Sequence, residues 1–127
     1  MNDLSGNIKL RLLLRVTLLL IRRAQRRAPR VRAMIAQDSH VLQIQTARGA
    51  GGHFVVGSGR IDLRMGLHPH PDLTQIWRDG HTAVAAMTSG DETDLLRAFE
   101  LGGCRMHGRF MVALWFNEVM KFARPAA

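Results

Sequence analysis

The hydrophobic period changes along this chain, and no fold built from one kind of secondary structure accommodates that change. Up to about residue 37 the apolar residues recur at helical spacing. From Ser39 to Arg78 they recur every second residue, and after Asp79 helical spacing returns. A helix brings side chains to one face about every 3.6 residues and a strand every 2, so neither pattern serves as the other. The chain is expected to be α+β.

At about 100° per residue, residues 8–28 separate into two faces. Leu10, Leu13, Leu14, Leu20, Ile21, Ala24 and Ala28 gather on one side and Arg11, Arg15, Arg22 and Arg26 on the other, with Leu12, Leu18 and Leu19 on the flanks. Pro29 is expected to close this helix, because proline disfavours helical backbone in the residue before it. A second short helix is expected at Val31–Ala36. The alternating part begins with His40–Thr46, where Leu42 and Ile44 oppose Gln43 and Gln45. Gly49-Ala50-Gly51-Gly52 reads as a turn into a strand His53–Val56, and Gly57-Ser58-Gly59 as a turn into Arg60–Met65. Pro69 and Pro71 separate that strand from Leu73–Arg78. Asp79 is suited to cap a helix Gly80–Met87 that stops at Thr88-Ser89-Gly90, and Asp91 to cap the next, which carries Leu95, Leu96, Phe99 and Leu101. Gly102-Gly103 ends it, Cys104–Gly108 is a last strand, and Arg109 to Ala123 a last helix with Pro125 beyond.

Charge sharpens the division. The formal net charge is +8, yet residues 1–37 hold nine basic groups against Asp3 alone, while residues 38–127 sum to zero. A strongly basic balance fits nucleic acid, anionic lipid or a solvated face. Nucleic acid is the weakest of these, since no aromatic residues interleave with the basic ones and no recognition motif occurs. Interfacial binding, with each basic side chain adding about 1 kcal/mol near an anionic surface, competes evenly with a core helix whose arginines are solvated. The apolar stretch Ile8–Ile21 falls short of the ~20 residues of a span and is interrupted by Lys9, Arg11 and Arg15. The composition of this start resembles an organelle transit peptide, and the location expected is cytoplasmic, peripheral to the membrane.

Catalytic motifs are sparse. His68, His70, His81, Cys104 and His107 could suggest a metal, but zinc needs convergent ligands, and a separation of three places Cys104 and His107 on opposite sides of a strand. The same argument removes them as a nucleophile–base pair. No nucleotide-binding or nucleophile-elbow glycine motif is found, so neither a catalytic residue nor a cofactor is expected. The most unusual element is the last helix. Its apolar residues cover an arc of about 200°, against ~100° for an ordinary surface helix. Either it is buried between sheet and helices, or it forms a wall of an apolar ligand cavity, to which adaptable methionines and aromatics are suited.

The order Ser89-Gly90, Ala98-Phe99-Glu100-Leu101-Gly102, Cys104-Arg105-Met106-His107-Gly108 and an apolar helix resembles the C-terminal half of the sterol carrier protein-2 family. Upstream, the Gly-rich hairpin, Gly59-Arg60-Ile61-Asp62-Leu63, the Pro/Asp turn and Leu73-Thr74-Gln75-Ile76-Trp77 are similar as well, so the resemblance covers roughly residues 35–123. One departure is Arg109, where family members usually carry an acidic residue. The resemblance implies a five-stranded, largely antiparallel sheet covered by helices around an apolar tunnel. On that reading residues 1–30 form a basic amphipathic helix and residues 31–127 the lipid-binding domain.

The function so implied is to carry or present a fatty acyl chain, sterol or isoprenoid, with no catalysis, as an accessory to lipid-modifying enzymes. By placement, the ligand-binding residues are Met87, Leu96, Phe99, Met106, Met111, Trp115, Phe116, Val119, Met120 and Phe122, and the membrane contacts Arg11, Arg15, Arg22 and Arg26. Burying an acyl chain at ~0.8 kcal/mol per CH₂ needs no charged anchor. The alternative is an interaction or dimerisation module that docks an identical subunit or an enzyme through the last helix.

Overall fold

The computed structural model describes residues 2–89 and 91–124. Gly90 and Pro125, two of the expected stop positions, lie outside the described residues. Helix α1 runs Asn2–Arg27 and α2 runs Pro29–Gln37. Then come strands β1 (His40–Thr46), β2 (Gly51–Gly57), β3 (Arg60–Met65) and β4 (Leu73–Trp77). Helices α3 (Gly80–Thr88) and α4 (Glu92–Glu100), strand β5 (Cys104–Gly108) and helix α5 (Phe110–Ala123) complete the order. The fold is α+β, as the changes of period require.

The sheet order is β3-β2-β1-β4-β5. Three of its neighbouring pairs are antiparallel, while β1 and β4 run parallel, with Ile44 opposite Gln75 and Thr46 opposite Trp77. The sheet is therefore mixed. A parallel pair needs a crossover, and here the β2–β3 hairpin and the proline-containing segment after it supply the return.

Strand β2 starts two residues earlier than its side chains suggest. Gly51 pairs with Gln45 at φ +151°, and a Cβ there would collide with the Ile44 carbonyl, so only glycine permits this register. Pro29 closes α1 as expected, the helix ending at Arg27 with Ala28 in extended backbone, and it also starts the next helix. It occupies the first turn of α2, where its missing N–H costs nothing, and Ala28 alone interrupts two nearly continuous helices. Arg32 donates to the carbonyls of Gln25 and Arg26 at 3.2 and 2.9 Å, closing the end of α1.

The core lies between the inner face of the sheet and the helices. Leu42, Ile44, Phe54, Val56, Ile61, Leu73 and Trp77 are buried against Leu10, Leu14 and Ile21 of α1, Val31 and Ile35 of α2, Ala83 of α3, and Val112, Phe116 and Val119 of α5. One core thus crosses the boundary expected at residue 30. Gly6 and Gly80 make the close crossing of α1 and α3 possible, since a Cβ on Gly80 would meet the Gly6 backbone. That contact accounts for a glycine inside a helix, where it otherwise costs about 0.5–1 kcal/mol. On the outer face, the segment after β3 folds over Gln43 and His53: the His68 N–H donates to Gln43 Oε1 at 2.6 Å, and His53 Nδ1 lies 2.9 Å from the Gly66 carbonyl.

Candidate apolar cavity beneath the sheet

The alternation of β4 sends Leu73, Gln75 and Trp77 inward, so an amide stands on the otherwise apolar parity of the strand. Ile44 on one side and Met106 on the other flank Gln75 in register. Above this part of the sheet lies a cavity of about 40 Å³. Its walls come from α1 (Leu13, Thr17), β4 (Gln75, Trp77), α3 (Ala86, Met87), α4 (Leu95) and α5 (Phe116, Asn117, Met120), with Arg124 at the rim. That volume holds a few waters and is far below the roughly 300–1,000 Å³ of ligand pockets. Where the resemblance implies a tunnel, the interior holds a small chamber.

Two polar groups in this chamber lack partners. Trp77 is wholly buried, and its Nε1–H has no acceptor. The Gln75 side chain has no hydrogen-bond partner among the described residues. Buried donors are almost always satisfied, so the unpartnered Trp77 N–H is exceptional, and among the described residues only His40 Nε2 shares its condition. The lid over the chamber is lightly held. Among the described side chains of α4, none is buried, and Leu96 is 61% exposed.

The residues expected to bind ligand divide into groups. Met87, Phe116 and Met120 line the chamber. Phe99 and Met106 are half-buried against the core nearby, and Val119 is fully buried core. Leu96 lies on a surface groove between α4 and α5. Met111 (68% exposed) and Phe122 (44%) point away from the chamber, because the buried side of α5 is centred on Val112, Phe116 and Val119. Trp115 serves the α2–β1 junction: its ring meets His40 edge-on at 4.4 Å and its Nε1–H donates to the Met34 carbonyl at 3.3 Å. Gln75, Trp77, Leu13, Thr17 and Leu95 were absent from the expected set. The signal for Gln75 was its parity between Leu73 and Trp77.

Of the four arginines expected at a membrane, Arg11, Arg15 and Arg26 are exposed. Arg22 is occupied elsewhere, donating to Asp62 Oδ1 at 2.7 Å and the Ile61 carbonyl at 3.1 Å, because edge strand β3 passes beneath this turn of α1. Beside the exposed arginines runs an apolar stripe that extends the expected flank residues Leu12 and Leu19: Leu4, Ile8, Leu12, Val16 and Leu19 are all exposed. Arg109, at the position of the departure, pairs with Asp72, its Nη1 3.7 Å from Oδ1 and its N–H donating to the Asp72 carbonyl at 2.7 Å.

Cys104 is buried and His107 exposed, on opposite sides of β5, and burial pushes the Cys104 thiol up to about 12. A thiol so hard to ionise is a poor nucleophile. Burial likewise lowers His40 below its ordinary value of 6.5, against the opposing pull of Asp38 and Asp72. Among the described residues, no helix is long and apolar enough to cross a membrane.

No protein-family model and no curated protein matches the sequence. Solved structures do match in shape, and they define the class: the fold is that of the sterol carrier protein-2 domains. A UbiJ-SCP2 ubiquinone synthesis protein superposes with a TM-score of 0.60 at 16% identity, covering 77% of this chain and 84% of its own. The sterol carrier protein domain 2 of Helicoverpa armigera gives 0.57 at 15% identity, covering 87% and 88%. The same fold occurs within a much larger chain, the stereoselective inverting sec-alkylsulfatase Pisa1 from Pseudomonas sp., with a TM-score of 0.50 at 16% identity. There the match covers 68% of this chain and 14% of the sulfatase.

Proposed function

We propose that this protein binds an apolar lipid (a fatty acyl chain, sterol or isoprenoid) beneath the sheet and carries or presents it. The observation that carries this reading is the chamber between β4 and α5, roofed by a helix with no buried side chain among those described. A helix so lightly packed belongs to the low-stability part of a fold and can be displaced at modest cost. Displacing α4 widens the chamber along Met87, Leu95, Phe116 and Met120, side chains that repack around a flexible guest. The shared fold of a sterol carrier domain and a ubiquinone synthesis protein supports the same reading. The protein then acts as an accessory to lipid-modifying enzymes, with no catalysis of its own.

The outer face of α1 suits a membrane. Leu4, Ile8, Leu12, Val16 and Leu19 supply apolar area, and Arg11, Arg15 and Arg26 supply charge beside it, the combination that holds a helix at an anionic interface. Changing these three arginines to glutamine is expected to weaken pelleting with anionic vesicles by about 100-fold, at ~1 kcal/mol each, and leave binding to neutral vesicles unchanged. Equal pelleting by the variant removes the electrostatic account.

A second reading rests on the outer side of α5, where Phe110, Met111, Leu114 and Phe122 are exposed. Such a surface suits an identical subunit or an enzyme. Native mass spectrometry of protein purified without detergent distinguishes the two. The carrier reading expects a stoichiometric lipid mass that falls in Phe116→Ala, whereas a lipid-free dimer supports the interaction module.

A further inference from the structure

Gln75 and Trp77 bring hydrogen-bond donors to one wall of a chamber whose remaining polar lining is Thr17 and the exposed Asn117 and Arg124. Gln75 and Trp77 lie two residues apart on the inward face of β4, so their side chains project in the same direction. Both line the same cavity. The Trp77 Nε1–H is buried without an acceptor, and Trp77 itself has no exposed surface. The other tryptophan shows the contrast, since Trp115 Nε1–H reaches the Met34 carbonyl. Indole nitrogen can only donate, and glutamine offers two more donors. The one hydroxyl lining the chamber, Thr17 Oγ1, gives its hydrogen to the Leu13 carbonyl at 2.8 Å. An apolar residue in place of Gln75 would suit Ile44, Met106 and a purely hydrocarbon guest, whereas the amide on this face has no hydrogen-bond partner among the described residues.

We infer that Gln75 and Trp77 form a polar subsite for a neutral oxygen acceptor, the carbonyl of a ketone, ester or quinone, carried on an otherwise apolar ligand. This deepens the carrier reading and rests on it. A neutral acceptor fits better than a carboxylate. Both donors are uncharged, and the one cation lining the chamber, Arg124, is exposed at its rim. A carboxylate drawn down to Gln75 would lose its hydration without meeting a charge.

The test uses the full-length ¹⁵N-labelled chain and follows its two indole N–H resonances, assigned with Trp115→Phe, during titration with 2-dodecanone and with n-dodecane. The ketone is expected to bind about 3- to 10-fold more tightly than the alkane and to move the Trp77 indole proton downfield, with the Trp115 resonance unmoved. In Gln75→Leu the preference for the ketone is expected to shrink towards one while alkane binding persists. Equal affinity for the two probes with no shift at Trp77 overturns the subsite and leaves the carrier reading in place, the two donors then serving only a buried water. Binding of neither probe overturns both.

Discussion

The two ends of the space beneath the sheet are built differently. At the β2–β3 end, Phe54, Val56 and Ile61 are all apolar and buried, with the Phe54 ring 5.9 Å from that of Phe116. At the β4–β5 end, an amide and an indole N–H face a small chamber under a helix that contributes no buried side chain among those described. One end is optimised for stability. The other leaves the Trp77 N–H unpartnered and the packing incomplete, as the proposed carrier role requires.

The contrast can be broken by substitution. Phe54→Ala at the filled end is expected to cost about 3–5 kcal/mol in denaturant unfolding, the range for emptying a packed aromatic site. A loss below about 1 kcal/mol would mean that this end is as loose as the other. Gly80→Ala tests the close crossing of α1 and α3. Its Cβ would strike the Gly6 backbone, and a destabilisation of roughly 1–3 kcal/mol is expected, with Gly80→Ser no better. Leu95→Ala, on the lightly held α4, is expected to cost about 1 kcal/mol or less, because that side chain is only partly buried. Gln75→Leu is expected to be neutral or stabilising by up to about 1 kcal/mol in the ligand-free protein, since it removes an unpaired amide. Clear destabilisation there would show that Gln75 serves the core.

The smallest effect concerns pH. His40 is buried and its pKa lies below 6.5 in the folded protein. As pH falls through 6.5 the unfolded chain takes up a proton that the folded chain refuses, so stability declines from there down to the folded value and then levels off. Asp38 and Asp72 oppose the burial and Arg109 adds to it, with the burial the largest cause. His40→Phe should flatten this part of the melting-temperature profile. A wild-type profile rising towards acid in that window would reverse the assignment.

Much of the fold was legible because period and punctuation agreed. Leu42 and Ile44, or Ile61 and Leu63, declare a strand by parity, and Asp79, whose carboxylate accepts from the Thr82 N–H at 2.7 Å, declares a helix start. What stayed hidden had no local signature. Gly51 and Gly52 pair in β2 without side chains to alternate, and the parallel pairing of β1 with β4 is set by residues about thirty positions apart. The site was legible in part. Periodicity marked Phe116 and Met120 as one wall, but an apolar arc cannot say which of its residues face inward, and Met111, Trp115 and Phe122 went elsewhere. The exposed stripe of α1 was legible only in Leu12 and Leu19, because leucines on both faces blur the separation of the two sides.

The central claim is that a lipid occupies the inside of this protein at the β4 end, and Trp77 is the reporter placed there. In Trp115→Phe, Trp77 is the sole tryptophan, and an acyl ester bearing a nitroxide along its chain quenches an indole only at contact range. Saturable, stoichiometric quenching of Trp77 fluorescence, relieved by an unlabelled ester, is the predicted result. Unchanged Trp77 fluorescence at concentrations where the probe does quench Trp115 in the companion variant Trp77→Phe would place the lipid on the surface and contradict the account.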